Sequence, residues 1–208
     1  MEILSHRGFW HHKDERNERV AFERSFDLGL GTETDLRDHN GEIVIAHDMP
    51  TGAPMTLAEL LRIMDGRNLT LALNIKADGL SARVKDILHA FNHTNYFVFD
   101  MSVPDLVRQL KDGMTAFTGL SDIQPHPVLA DQCQGIWLDC FNADWYGPEV
   151  IDGLLDQGKR VCVVSADLHQ RPTQTQWDII KTVKNVASPD LLLCTDKPLE
   201  AQAHFGEA

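Results

Sequence analysis

Between Ile3 and Asp48 the sequence reads I-L-S-H-R-G, then G-T-E-T-D-L-R, then G-E-I-V-I-A-H-D. These runs hold two histidines (His6 and His47), the acids Glu33 and Asp35 two residues apart, and Arg7 beside the first histidine. Each group ends, or lies within, a short apolar run of strand character. Residues i and i+2 of a strand point to the same side, so the two acids converge. Carboxylates that close raise each other's pKa. A divalent cation relieves the repulsion, and oxygen donors suit Mg²⁺ or Ca²⁺. Imidazoles titrate near 6.5 when unperturbed, which lets the two histidines trade protons around neutrality. Metal, acid and base in one segment are the parts needed to hydrolyse a phosphate ester.

Something must hold these groups together, and the chain supplies strands and helices in alternation. Strand-like runs are Ile3–Arg7, Gly31–Arg37, Glu42–Ala46, Leu69–Lys76, Tyr96–Asp100, Thr115–Gly119, Gly135–Phe141, Arg160–Ser165 and Leu191–Thr195. Helices are predicted over Glu18–Leu28, where Val20, Ala21, Phe26 and Leu28 recur at helical spacing before the Gly29 stop. They are also predicted over Thr56–Met64, opened by the capping-box pattern T-L-A-E, and over Ser81–Phe91, Pro104–Leu110, Pro148–Leu155 and Thr175–Val183. With Glu42–Ala46 read as a hairpin partner of the preceding strand, eight strands remain, the number of a (β/α)₈ TIM barrel. The expected fold is thus a small α/β barrel, a single domain over residues 1–208 with little or no cap insertion.

Strand faces agree with that choice. In L-T-L-A-L-N-I-K, Leu69, Leu71, Leu73 and Ile75 share one side while Thr70, Ala72, Asn74 and Lys76 share the other. Polar groups end most strands: His6 and Arg7, Glu33 and Asp35, His47, Asn74 and Lys76, Asp100, Asp139, Ser165 with Asp167 and His169, and Thr195 with Asp196. Ends of this kind on nearly every strand mark the rim where barrels place their active sites. An open doubly wound sheet would bury both faces with apolar residues instead.

With 43% hydrophobic residues among 208, the chain can bury a real core. A formal net charge of -12 argues against nucleic acid or an anionic membrane as the main partner. No apolar run nears the roughly 18 residues of a membrane span, and His6 comes too early for a signal peptide. The scattered cysteines Cys133, Cys140, Cys162 and Cys194 read as buried thiols rather than disulfides or a zinc site, which points to a reducing cytoplasm.

The motifs S-H-R-G at 5–8, E-T-D-L-R at 33–37, D-H-N-G-E-I-V-I-A-H-D at 38–48, T-L-A-E-L at 56–60, N-I-K at 74–76 and C-T-D-K-P at 194–198 resemble the glycerophosphodiester phosphodiesterase family. That family lies within the wider group that includes phosphatidylinositol-specific phospholipase C. The resemblance implies a barrel, a divalent metal, and catalytic roles for His6 and His47 as general acid and base. It implies that Glu33 and Asp35 bind the metal and that Arg7 and Lys76 hold the phosphate. It implies a small-molecule phosphodiester as substrate, split into an alcohol and a phosphomonoester. Two departures stand out. The family's third metal ligand is a glutamate in an E-x-K pattern, and here Asn74 occupies that place. An amide oxygen ligates Mg²⁺ or Ca²⁺ with one negative charge fewer, so Asp139 is a candidate helper. The family's insertion after the H-D motif is also missing, since Asp48 is followed by M-P-T-G-A-P and then by T-L-A-E-L.

Some readings stay open. Ser165, Asp167, His169 and Arg171 follow a late strand, where barrels often bind phosphate, and His169 is the phosphate-contact candidate; a polar loop capping the next helix accounts for them equally. Trp137 and Trp145 read as apolar walls of the substrate pocket or simply as core, and the inward face that Trp137 takes in its strand favours the pocket. Arg37 offers an alternative structural ion pair to Glu33 and Asp35. His11 and His12, followed by Lys13, Asp14 and Glu15, read as a solvated loop, with lining of the substrate entrance as the alternative, and His39, His89, His93, His126 and His204 as ordinary surface or loop histidines. Asn74 and the missing insertion also admit a barrel that keeps a sugar-phosphate or polyol-phosphate pocket without the chemistry. The sequence leaves oligomeric state undetermined.

Overall fold

The computed structural model describes residues 1–206. Its strands are β1 (Glu2–His6), β2 (Gly31–His39), β3 (Glu42–Ile45), β4 (Leu71–Ile75), β5 (Tyr96–Phe99), β6 (Phe117–Leu120), β7 (Gly135–Leu138), β8 (Arg160–Val164) and β9 (Leu191–Thr195). The helices are α1 (Arg19–Asp27), α2 (Leu57–Met64), α3 (Ser81–Ala90), α4 (Val103–Lys111), α5 (Pro148–Asp156), α6 (Gln174–Lys181) and α7 (Pro198–Phe205). Short 3-10 turns lie at Lys13–Glu15 and Ala166–His169. With β3 set aside as a hairpin strand, eight strands alternate with helices in a (β/α)₈ barrel, except that among the described residues no helix separates β6 from β7.

The chain divides into two compact units, and the division runs through β1. One unit is Ser5–Ala116; the other is Met1–Leu4 together with the chain from Phe117 onward. In the first unit β2, β4 and β5 pair in parallel, with Glu33 level with Ala72 and Asp35 level with Asn74. The hairpin strand β3 pairs antiparallel with β2, Leu36 against Ile45, as expected. Ile45 N donates to Met55 O at 2.8 Å and Val44 bridges Thr56, so the chain passes from β3 into α2 with no cap between. The capping box forms as expected: Glu59 N donates to Thr56 Oγ1 at 3.2 Å, and Thr56 N to Glu59 Oε2 at 2.8 Å. In the second unit β6, β7, β8 and β9 pair in parallel in that order.

Five barrel strands end earlier than the sequence reading has them, whereas β2 and β6 run on to His39 and Leu120. Arg7, Lys76, Asp100, Asp139 and Ser165 all fall just past their ladders. Two of them, Arg7 (φ 58) and Asp100 (φ 65), take left-handed backbone that a strand cannot continue. The apolar stripe of α1 also moves. Ala21, Phe22, Ser25 and Phe26 are buried, whereas Val20 and Leu28 are exposed, because the inward face begins at Ala21 and Phe22 rather than at Val20. Helix α7 escapes the sequence reading: it is eight residues long and buries only Pro198 and Ala201, too little periodicity to detect.

All four cysteines are free and buried. His93, read as a surface or loop histidine, does lie in a loop but is buried there, and desolvation pushes its pKa below the usual histidine value. Among the described residues, no helix is long and apolar enough to cross a membrane.

Candidate active site

The H-R-G motif makes a turn that only glycine permits. Ser5 Oγ lies 2.6 Å from Ser25 Oγ and donates to Thr32 Oγ1 at 3.0 Å, which seats the end of β1 on β2. Arg7 N then donates to Glu33 O at 2.9 Å and Gly8 N to Thr32 Oγ1 at 3.0 Å. Gly8 has φ +83, and a Cβ there would meet Ala21 Cβ at 2.7 Å and the Ala21 carbonyl carbon at 2.8 Å. Backbone on α1 cannot yield as a flexible side chain would. Gly8→Ala is therefore expected to cost about 2–4 kcal/mol, or roughly 5–15 °C in Tm for a chain of this size. Calorimetry checks this; a variant that melts with the parent would refute the packing argument.

The turn delivers Arg7 onto the carboxylates. Glu33 and Asp35 are both buried, 2% and 0% exposed. Asp35 Oδ2 lies 2.9 Å from Arg7 Nε, and Lys76 Nζ is 3.5 Å from Asp35 Oδ1. Burial first, and the charge of Asp35 second, hold the Glu33 carboxyl well above the usual carboxylate range; Arg7 and Lys76 pull it back only in part. One oxygen of each of the three candidate ligands, Glu33 Oε2, Asp35 Oδ1 and Asn74 Oδ1, is buried without a hydrogen-bond partner. Buried polar atoms are normally satisfied, so three such oxygens on β2 and β4 form a donor set that suits a hard cation. Among the described residues no three His, Cys, Asp or Glu side chains gather as a metal site, so an oxygen set here depends on the Asn74 amide.

Two residues complete the arrangement that the motifs pass over or leave without a role. Asn17, in left-handed backbone (φ 62), donates through Nδ2 to Asp35 Oδ2 at 2.9 Å and accepts from Thr34 Oγ1 at 2.8 Å. Asp100 Oδ2 accepts from Asn74 Nδ2 at 3.3 Å, which fixes the amide so that its oxygen is the unpartnered atom. Asn17 carries no spacing signal, since it lies 18 residues from Asp35 on a loop. Asp100 has one, its place at a strand end.

The histidines occupy different settings in this unit. His6 Nε2 is 3.7 Å from Glu33 Oε2. His47 is exposed, and its Nδ1 lies 2.9 Å from Asp48 Oδ1. Ala46 N donates to Asp35 O at 3.0 Å, and Arg37 Nε to His47 O at 3.0 Å, so both β2 and the arginine locate His47. Arg37 thus makes no structural pair with Glu33 or Asp35 among its observed contacts; it reaches outward to the His47 loop. His47 and Arg7 share the lining of a cleft of ≈ 390 Å³.

Trp137, His169 and Asp139 belong to the second unit. Trp137 is buried within β7. His169 closes the 3-10 turn after β8, with Nε2 2.7 Å from Asp139 Oδ1 and its ring 4.9 Å from that of Phe141. Asp139 also accepts from Cys140 N at 2.6 Å, and burial raises its pKa. Oδ1 of Asp139 is therefore already engaged by His169 and the chain, which weakens its case as a metal helper. The polar groups around it bond to other parts of the same unit, and none of these bonds caps α6, whose N-cap residue Thr173 makes no side-chain capping bond. Asp167 accepts from Thr195 Oγ1 at 3.0 Å and Asp196 N at 2.7 Å, Ser165 Oγ accepts from Trp177 Nε1 at 2.9 Å, and Arg171 pairs with Asp144 at 3.0 Å.

No family model and no curated protein sequence matches this chain. Solved structures do. A glycerophosphodiester phosphodiesterase from Agrobacterium tumefaciens superposes with a TM-score of 0.72 at 15% identity, covering 99% of both chains. A phosphodiesterase from Oleispira antarctica, in complex with its product sn-glycerol-3-phosphate, gives 0.70 at 15% identity over 99% of this chain and 97% of that one. A glycerophosphoryl diester phosphodiesterase from Parabacteroides distasonis gives 0.70 at 15% identity over 99% and 86%. The chain is thus similar, over nearly its whole length, to the (β/α)₈ barrel fold of solved glycerophosphodiester phosphodiesterases.

Proposed function

We propose that the chain is a metal-dependent phosphodiester hydrolase that splits a small glycerophosphodiester-like substrate into an alcohol and a phosphomonoester. The observation that carries this reading is the set of three buried oxygens without a hydrogen-bond partner on Glu33, Asp35 and Asn74, beside two cations and His6. The fold shared with solved phosphodiesterases supports it, one of which holds sn-glycerol-3-phosphate as product. Four free buried thiols accord with a reducing, cytoplasmic setting.

Glu33, Asp35 and Asn74 would hold Mg²⁺ or Ca²⁺, which when bound neutralises charge on the phosphoryl oxygens. Arg7 and Lys76, both within ion-pair range of Asp35, hold the phosphate and spread the negative charge that grows in the transition state. One histidine takes a proton from the nucleophile and the other gives one to the leaving alkoxide. Asp48, accepting from His47 Nδ1, leaves Nε2 as the nitrogen that exchanges a proton with substrate. Trp137 and His169 belong to the other unit, and the roles expected of them, a pocket wall and a phosphate contact, are to be tested by their alanine variants.

The deciding experiment is calorimetric titration of Mg²⁺ and Ca²⁺ into chelator-treated protein, followed by turnover of bis-(p-nitrophenyl) phosphate and of glycerophosphodiesters. Turnover should need metal and vanish in Glu33→Ala. Tight phosphate binding with no turnover under either metal would instead establish the non-catalytic pocket that Asn74 admits. The same titration tests Asn74 itself. Asn74→Ala is expected to weaken metal about tenfold by removing one oxygen donor, roughly 1.4 kcal/mol. An unchanged affinity would remove Asn74 from the ligands. Asn74→Glu should gain less than an added charge alone predicts, because the new carboxylate would stand against Asp100 where the amide now donates.

A further inference from the structure

The two carboxylate oxygens of Asp35 meet different surroundings. Oδ2 accepts a hydrogen bond from Asn17 Nδ2 at 2.9 Å, and Arg7 Nε lies 2.9 Å from the same oxygen. Oδ1 is buried without a hydrogen-bond partner, with Lys76 Nζ at 3.5 Å. Arg7 attracts Oδ2 by charge, but its Nε makes no hydrogen bond, so the Asn17 amide is what aims the carboxylate. That amide is itself held. Its Oδ1 accepts from Thr34 Oγ1 at 2.8 Å, and turning it over would set a carbonyl oxygen against the Asp35 carboxylate. The backbone beneath it is held too: Asn17 has φ 62, and its N donates to Arg7 O at 3.0 Å. Hard cations differ in how they use such a carboxylate. Ca²⁺ gathers about six to eight oxygens and often takes both from one carboxylate, whereas Mg²⁺ holds a tight octahedron of about six and keeps several waters in it. Glu33, Asp35 and Asn74 each present one buried oxygen without a hydrogen-bond partner.

We propose that Asn17 is a positioning residue that sets the choice of metal: by holding Oδ2 it limits Asp35 to a single oxygen and fits the site to Mg²⁺ over Ca²⁺. This rests on the metal-dependent reading and narrows its cofactor. A cation that took both Asp35 oxygens would meet the Asn17 N–H at Oδ2, where a positive hydrogen already occupies the lone pairs. Mg²⁺ needs only the one oxygen that the amide leaves open, so the same contact costs it little.

The test is calorimetric titration of Mg²⁺ and of Ca²⁺ into the chelator-treated parent, Asn17→Gly and Thr34→Val. Glycine accepts the left-handed backbone at position 17 and removes only the amide. Valine keeps the branched shape of Thr34 and removes the hydroxyl that fixes the amide. The ratio Kd(Ca²⁺)/Kd(Mg²⁺) is expected to fall about tenfold in Asn17→Gly, as Asp35 becomes free to give Ca²⁺ both oxygens, and about fivefold in Thr34→Val. A residue that merely supported the loop would weaken both ions alike and leave the ratio where it was. A fall of less than about threefold in Asn17→Gly, or a rise, therefore overturns the proposal. If Asn17→Gly does not fold, Thr34→Val decides against the same threshold. A parent that binds neither ion shows that the metal-dependent reading itself has failed, and the selectivity falls with it. Binding by the parent with an unmoved ratio in the variants overturns the selectivity alone.

Discussion

Alanine at His6 or at His47 is expected to lower kcat by about 10²–10⁴-fold, the range for loss of a positioned acid or base, while the fold survives. His47 is exposed and its hold on the chain is through its backbone, so the side chain can go without loss of packing. His6 sits at the end of β1, where the Ser5–Thr32 hydroxyl network and the Arg7 backbone bond to Glu33 persist without the imidazole. Thermal melts should therefore stay close to the parent's. A double variant no slower than either single would mark two groups that act as one unit. Either single variant retaining near-normal turnover on a glycerophosphodiester would sink the acid–base assignment.

Glu33→Gln should separate stability from function. Burial, and then the charge of Asp35, raise the Glu33 pKa well above 4.5 in the folded protein. A raised folded value means that the proton favours folding below about pH 4.5, and that this contribution is lost as pH climbs through the folded pKa. As pH climbs through that raised pKa, the metal-free protein comes to carry a buried carboxylate facing Asp35. A neutral amide of the same shape removes that cost, so chelator-treated Glu33→Gln is expected to gain about 1–3 kcal/mol, roughly 2–10 °C in Tm, with the gain shrinking toward pH 4. Metal-stimulated turnover should be lost in the same variant. Calorimetry across pH 4–8, run beside the activity assay, checks both. A variant that melts lower than the parent at pH 8 would show that Arg7 and Lys76 already neutralise the pair.

Much of the carboxylate site is legible in the amino-acid sequence. Strand alternation puts Glu33 and Asp35 on one side whatever surrounds them, because side chains repeat every two residues along a strand. The same rule, with the hairpin reading of Glu42–Ala46, carries His47 back to the level of β2, where Ala46 N meets Asp35 O. The Thr56–Glu59 capping box is readable for a like reason, since its bonds span only three residues. His93 and the apolar face of α1 depart from expectation because burial depends on which neighbour covers a face. Local pattern does not record that.

What the sequence determined by itself was chemistry of short range: the acid pair, the histidines, the strand–helix alternation and hence the barrel. Tertiary structure decided which distant groups serve them. Asn17 holds Asp35 only because Asn17 turns through left-handed backbone onto the Arg7 carbonyl. Asp100 orients Asn74 only because β5 lies beside β4. Arg37 goes to His47, and Asp139 to His169, although charge alone offered each another partner. Contacts across loops are set by where the chain closes, and closure depends on the packing of whole elements rather than on the residues that finally touch.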